Sequence, residues 1–191
     1  MHSIHTTGNK AKITGKPGII IKHACTASEF TQVHKLNYKT FVEEIPQHEE
    51  NTKGELVDKF HHKNEYIIAL ENDVLVGMVC YNCHRPFSLE QKLPDLDNYL
   101  PPYTNLVEVR LLSVVPQKRH TGLVYYLLKY LSKELLSRDI DTGIISGTTR
   151  QLKLYKSIGF VPFGPLVGKP GALYQPMYIT INQLRNDFRI N

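Results

Sequence analysis

The chain has no tryptophan and only three cysteines and three methionines. Cys25, Cys80 and Cys83 form a small, odd set, which excludes a disulfide framework and fits a reducing cytoplasm. No run approaches the roughly 18 apolar residues of a membrane span. The polar start, Met1 to Gly18, lacks the apolar core of a signal peptide. A cytoplasmic location is therefore expected. Charge of one sign is also scarce: 23 Lys and Arg stand against 18 Asp and Glu, a net charge of +5. That mild excess favours anionic partners such as phosphates or acidic proteins. It lacks the aromatic interleaving of a nucleic-acid surface. Apolar residues at 41% and charged ones at 21% exclude a disordered chain. The 191 residues suit one domain that buries its own core.

Residues 1–17 read as a flexible leader ending at Pro17-Gly18, and residues 18–191 as a single domain. Ile19-Ile20-Ile21 predicts a strand. Ser28 caps a predicted helix whose apolar residues Phe30, Val33, Leu36 and Phe41 run towards Pro46. A second short helix is expected around Glu55–Phe60. Two apolar runs, Glu65 to Glu71 and Val74 to Tyr81, flank Asn72-Asp73 and predict a hairpin. Residues 84–105 form a long, Pro-punctuated connection of the kind that usually serves function, with a short helix from Ser88 to Leu93. Leu106 to Val115 predicts a strand ended by Pro116. Thr121 to Ser137 predicts an amphipathic helix, with Val124, Leu128, Leu131 and Leu135 on one face and Lys129, Ser132 and Lys133 on another. A strand over Asp141–Gly147, a helix over Gln151–Ser157 closed by Gly159, and strands over 160–167 and 172–181 complete the chain. This order predicts a mixed α/β fold, a central sheet of about seven strands with helices on both faces.

The segment from Val114 to Leu128 stops a strand at Pro116 and opens a helix directly after Gly122. Free amides and the dipole at a helix start favour an anion, above all a pyrophosphate. Gly122 allows close approach, and Arg119 adds charge-assisted hydrogen bonds.

These residues resemble the acyl-donor motif of the GNAT superfamily of N-acyltransferases, Arg/Gln-x-x-Gly-x-Gly/Ala, here Arg119-His120-Thr121-Gly122-Leu123-Val124. Val124 replaces the final small residue, and His120 stands where many members have glycine. Leu154 to Phe160 resembles the superfamily's Tyr-x-x-x-Gly-Phe segment, with Tyr155 and Gly159 in place. Asn37 to Glu44 is similar to the Tyr-x-x-Phe-Val-Glu-Glu segment of N-acyl amino acid synthases and, more distantly, of acyl-homoserine lactone synthases. The loop from Arg85 to Glu90 and the strand from Glu108 to Val114 also look like that subgroup. The resemblance implies a GNAT fold and transfer of an acyl group from coenzyme A or an acyl carrier protein to the amine of an amino acid or similar molecule. Small-molecule acetyl transfer and a non-catalytic coenzyme A-binding module are the alternatives.

The resemblance also implies site residues. The donor is held by residues 119–124, with a backbone amide near Val114 facing the thioester carbonyl as an oxyanion donor. Tyr155 is the candidate acid for the leaving thiolate, acting by hydrogen bonding because its reference pKa of about 10 exceeds a thiol's. Glu108 is the candidate base, two positions from Arg110 and on the same sheet face. Tyr38, Phe41, Glu43 and Arg110 are candidate acceptor contacts. Lys118, Arg119, Lys129, Lys133, Arg150, Lys153 and Lys156 are expected to rim the donor channel and to steer an acidic carrier protein. An acyl tail is expected on the apolar surface under the 84–105 loop. No metal is expected: Cys80-x-x-Cys83 with His84 lacks a second ligand pair.

Overall fold

In a computed structural model, residues 13–14 and 18–187 are described. Nine strands form one sheet: β1 (Ile13–Thr14), β2 (Ile19–His23), β3 (Glu65–Glu71), β4 (Val74–Asn82), β5 (Leu106–Val114), β6 (Thr142–Thr148), β7 (Val161–Pro162), β8 (Val167–Lys169) and β9 (Ala172–Thr180). The helices are α1 (Ala27–Tyr38), prolonged by a π-helical turn over Lys39–Glu44, α2 (Leu123–Leu136), α3 (Leu152–Ser157) and α4 (Ile181–Asp187). The strand order is β1-β2-β3-β4-β5-β6-β9-β7, with β8 beside β9. The two strands beyond the expected seven come from Ile13–Thr14, which pairs with β2, and from division of the 160–167 run into β7 and β8. The rest of the expected leader lies outside the described residues.

Local chemistry decides where the elements begin. Thr26, not Ser28, caps α1: its hydroxyl accepts the Glu29 N–H at 3.2 Å, while the Glu29 carboxylate accepts the Thr26 N–H at 3.1 Å. This reciprocal pair satisfies two orphan donors at once. The expected helix at 55–60 is absent. The Asp58 carboxylate accepts the Phe60 N–H at 2.9 Å, a local bond that competes with helix formation. The β3–β4 hairpin forms as predicted, with Asn72 and Asp73 at φ 49° and 63°. Ser132 is buried with the α2 core face rather than exposed, and its hydroxyl donates to the Leu128 carbonyl at 2.8 Å.

The helix α2 packs Leu127, Leu128, Leu131 and Leu135 against one sheet face, on Ile67, Val79, Val107 and Met177. The other face carries two separate coverings. Val33 and Leu36 of α1 sit on Tyr66, Ile68 and Met78. Phe87, Leu89, Leu93 and Leu96 of the 84–105 loop sit on Leu106, Ile144 and Tyr174. The middle of β5 runs between them. Every strand pair is antiparallel except β5–β6, which is parallel and matched only at Leu106–Glu108 against Thr142–Ile144. Beyond Glu108 the two strands part.

Candidate active site

The parting of β5 from β6 opens a gap in the sheet that neighbours on both sides must fill or leave for a ligand. Its β5 edge carries a bulge: Cys80 faces Arg110 but Met78 faces Ser113, and Leu111 takes φ 54° to absorb the extra residue. The Val115 N–H donates to the Val76 carbonyl of β4 at 3.1 Å. Strand alternation therefore turns the amide and carbonyl of Val114 to the opposite edge, towards the gap.

The turn between β5 and α2 follows. Pro116 ends the strand and starts a 3₁₀ turn over Pro116–Lys118. His120 and Gly122 have φ 65° and 81°, and Gly122 is the residue at the start of α2. An added Cβ at Gly122 would meet nothing nearer than a Tyr126 ring carbon at 4.0 Å, so the backbone angle rather than crowding requires glycine there. His120 takes a left-handed shape at a cost of about 1–2 kcal/mol. The first amides of α2, from Leu123 onward, have no carbonyl one turn back and face the turn. Thr121 is tied by its hydroxyl to the Lys118 carbonyl at 2.7 Å. Val124 is half-buried against the core, so its bulk points away from the solvent side. Arg119 donates through Nε to the Val114 carbonyl at 3.1 Å and pairs with Glu44 at 2.5 Å. Lys118 pairs with Glu71 at 2.6 Å. Two members of the expected basic rim thus already have acid partners.

Tyr155 projects from α3 onto β6. A Cβ on Gly147 would lie 2.8 Å from its ring, so glycine is what admits the tyrosine there. Burial raises the Tyr155 pKa, and hydrogen bonding to Thr148 partly offsets the rise. The hydroxyl therefore stays protonated at neutral pH.

On the face between α1 and the 84–105 loop lies a charged cluster. Arg110 donates to both carboxylate oxygens of Asp58, at 2.7 and 2.9 Å, and lies over the Phe60 ring at 5.1 Å. Glu108 is 1% exposed; its two oxygens accept the Ser88 and Leu89 N–H groups, each at 2.8 Å, and the Arg110 Nε lies 3.7 Å away. Burial pushes its pKa up, while Arg110 and the two amides restrain the rise. This geometry departs from the expected base. A carboxylate enclosed this fully anchors the 88–89 turn and has little access to a substrate amine. Burial also opposes the charge on Asp58, but Arg110 outweighs it and holds the carboxyl below the usual range. Lys92 and His48 are exposed by area, yet burial pushes both pKa values down.

The other expected acceptor contacts are not brought together here. Tyr38 and Phe41 are buried, and the Tyr38 hydroxyl bonds to the backbone of Asn51 at 3.2 and 3.3 Å. Glu43 is exposed, and its neighbour Glu44 makes the contact to Arg119. The surface expected to take an acyl tail is filled by Phe87, Leu89, Leu93 and Leu96 of the loop itself. Asp58, Lys92 and the Leu111 bulge escaped sequence reading. Asp58 was hidden inside an apparent helix, Lys92 sat in the expected Ser88–Leu93 helix, which is only a 3₁₀ turn over Leu89–Gln91, and a bulge leaves no mark in composition. Cys80 is buried and Cys83 half-buried. At the far end of the sheet, ligand atoms of His23, Glu65 and Glu134 lie within 4.8 Å of one another, and Arg138 pairs with both carboxylates at 2.6 and 2.9 Å. No helix among the described residues is long and apolar enough to cross a membrane.

Comparison with solved structures places this arrangement among known folds. A coenzyme A-dependent acyl-homoserine lactone synthase, BjaI, with SAM and isopentyl-CoA, superposes with a TM-score of 0.69 at 21% identity, covering 84% of this chain and 80% of that one. The acyl-homoserine lactone synthase LasI gives 0.74 at 16% identity, covering 89% and 94%. An acyl-CoA N-acyltransferase from Pseudomonas aeruginosa gives 0.58 at 16%, covering 84% and 97%. At these identities the likeness is one of fold. Among curated proteins none matches. The acetyltransferase (GNAT) domain profile matches residues 25–181, and the chain belongs to that family of acyl- and acetyltransferases.

Proposed function

We propose that the protein is an N-acyltransferase that moves an acyl group from an acyl thioester, of coenzyme A or an acyl carrier protein, to the amine of an amino acid or similar small molecule. The observation that carries this reading is the parting of β5 and β6 after Glu108, with the left-handed turn that opens α2 following the end of β5 and the Arg110–Asp58 pair beside its middle. The fit of the donor rests on the two left-handed residues of the turn, His120 and Gly122, and on the open space beside Gly122. Residues 119–124 hold the pyrophosphate, chiefly through amides. Arg119 joins them on release from Glu44.

The thioester carbonyl then lies along the gap with its oxygen at the Val114 amide. A neutral amine attacks the carbonyl carbon, and the Val114 N–H stabilises the oxyanion of the tetrahedral intermediate. The C–S bond breaks, and Tyr155 donates a hydrogen bond to the departing thiolate. The ammonium proton leaves to water. Glu108 is a positioning residue in this scheme: it fixes the 88–89 turn and, with Asp58, the orientation of Arg110.

Plain acetyl transfer is the second reading. The filled apolar surface beneath the 84–105 loop favours it over a long acyl chain. Thiol release from acetyl- and longer acyl-coenzyme A, with and without added amines, tests both. Release that depends on the amine supports acyl transfer, and the better donor identifies the acyl class. Coenzyme A binding without amine-dependent release would favour the binding module.

A further inference from the structure

Arg119 lies across the end of β5. Its Nε donates to the Val114 carbonyl at 3.1 Å. Val114 presents that carbonyl to the gap, because its neighbour Val115 is the residue bonded to β4. The guanidinium thus fills the last acceptor of the strand. Glu44 keeps it there: its carboxylate accepts a hydrogen bond from Arg119 Nη2 at 2.5 Å. The Glu44 carbonyl accepts a longer contact, 3.5 Å, from Arg150. Arg119 follows β5 and Arg150 follows β6, and these parallel strands have already parted. One residue therefore touches arginines from both sides of the gap.

The contact is of a kind that exchanges readily. The Arg119 side chain is 41% exposed and that of Glu44 30%, so solvent screens the pair and it holds weakly. A phosphate offers the guanidinium two oxygens in a matching fork and more charge than a carboxylate. The segment that carries Glu44 is a π-helical turn over Lys39–Glu44, closed by the Ile45 N–H on the Thr40 carbonyl at 3.0 Å. The Thr40 hydroxyl is buried there without a hydrogen bond. Single π turns are rare and concentrate at functional sites.

We propose that Glu44 gates the acyl donor. Its carboxylate holds Arg119 over the Val114 carbonyl. A donor phosphate takes its place on the guanidinium, Arg119 leaves the strand, and the uncovered carbonyl accepts an amide N–H of the donor's pantetheine arm. The proposal rests on the acyl-transfer reading and adds a control on donor entry. Coenzyme A and an acyl carrier protein both present the pantetheine arm behind a phosphate, so either donor opens the gate. A thioester without phosphate has to displace Arg119 unaided. Glu44 sets donor affinity and takes no part in the chemical step.

The test pairs acetyl- and octanoyl-coenzyme A with the matching acyl-pantetheines, which lack phosphate. Calorimetry with coenzyme A reads binding, amide formation gives kcat and KM, and thermal melts show that each variant is folded. Glu44→Gln is expected to tighten coenzyme A by about threefold to tenfold and to lower KM to match, with kcat unchanged. On an Arg119→Ala background the same substitution should have no further effect. Arg119→Ala alone should separate the donors, with acyl-coenzyme A used less well and acyl-pantetheine better. If Glu44 only orients Arg119 for the phosphate, Glu44→Gln weakens coenzyme A, and that sign would overturn the gate. Unchanged affinity in Glu44→Gln, or loss of both donors alike in Arg119→Ala, would overturn it too. Each of these results leaves coenzyme A binding and acyl transfer in place. Tighter coenzyme A binding in Glu44→Gln without any amide product supports the gate and overturns acyl transfer. No coenzyme A binding by either protein overturns both.

Discussion

Arg110 clasps Asp58 through both guanidinium nitrogens, at 2.7 and 2.9 Å, and so ties the loop after α1 to the middle of β5. The pair bridges the two coverings of one sheet face, because Glu108, beside it on β5, ties down the 84–105 loop. Asp58→Asn should therefore destabilise the fold by about 3 kcal/mol, since it leaves Arg110 largely buried and half-partnered. Urea unfolding checks this, and a change below about 0.5 kcal/mol would reduce the pair to a surface contact.

The same pair sets an acid limit. The folded-state pKa of Asp58 lies below its ordinary value, so its contribution to stability is present above the unfolded pKa, about 3.9. It disappears as the pH falls through the folded value. Glu108 has the opposite sign: its raised pKa makes stability fall as pH rises from about 4.3 through the folded value. Melting curves of Asp58→Asn should lose the acid-side dependence, while those of Glu108→Gln should lose the slope above about pH 4.

For Glu108→Gln the amide nitrogen must face one of two backbone N–H donors. A loss of about 1–3 kcal/mol in stability is expected, with a lower rate at every pH. Selective recovery of the rate at high pH, as the free amine fraction grows, would return the base role to Glu108.

Tyr155→Phe should lower kcat by about 10²-fold with little change in donor affinity, because the hydroxyl acts on the departing sulfur. Gly147→Ala should mimic it in part: the new methyl displaces the Tyr155 ring, which lies 2.8 Å from that position. Unchanged kcat in both would remove Tyr155 from the chemistry.

Gly122→Asp should weaken coenzyme A binding by about 2 kcal/mol or more, through a like charge at the helix start and strain at φ 81°. Calorimetry on the folded variant reads it directly, and wild-type affinity would put the donor elsewhere.

Some of this was legible in the sequence. Alternation and turn chemistry predicted the β3–β4 hairpin, and Pro116 with Gly122 marked the strand end and the helix start. Those features are local, so local rules reach them. The charged cluster on the face opposite α2 is assembled from the loop after α1, from β5, from the 84–105 loop and from β9, and no short-range pattern joins Asp58 to Arg110 or Lys92 to Tyr174. Ser28 also misled, because Thr26 has the better partner three residues on, Glu29. Glu108 stands out in the sequence as a carboxylate within an apolar strand and was expected to act as the base, but its partners come from a loop whose path the sequence does not fix.

The central claim is amide formation at the gap between β5 and β6. Incubation with acetyl- and long-chain acyl-coenzyme A and a pool of free amino acids, read by mass spectrometry, tests it most directly. The account predicts N-acyl amino acids that vanish in Gly122→Asp. Tight coenzyme A binding with no amide product from any donor would contradict it.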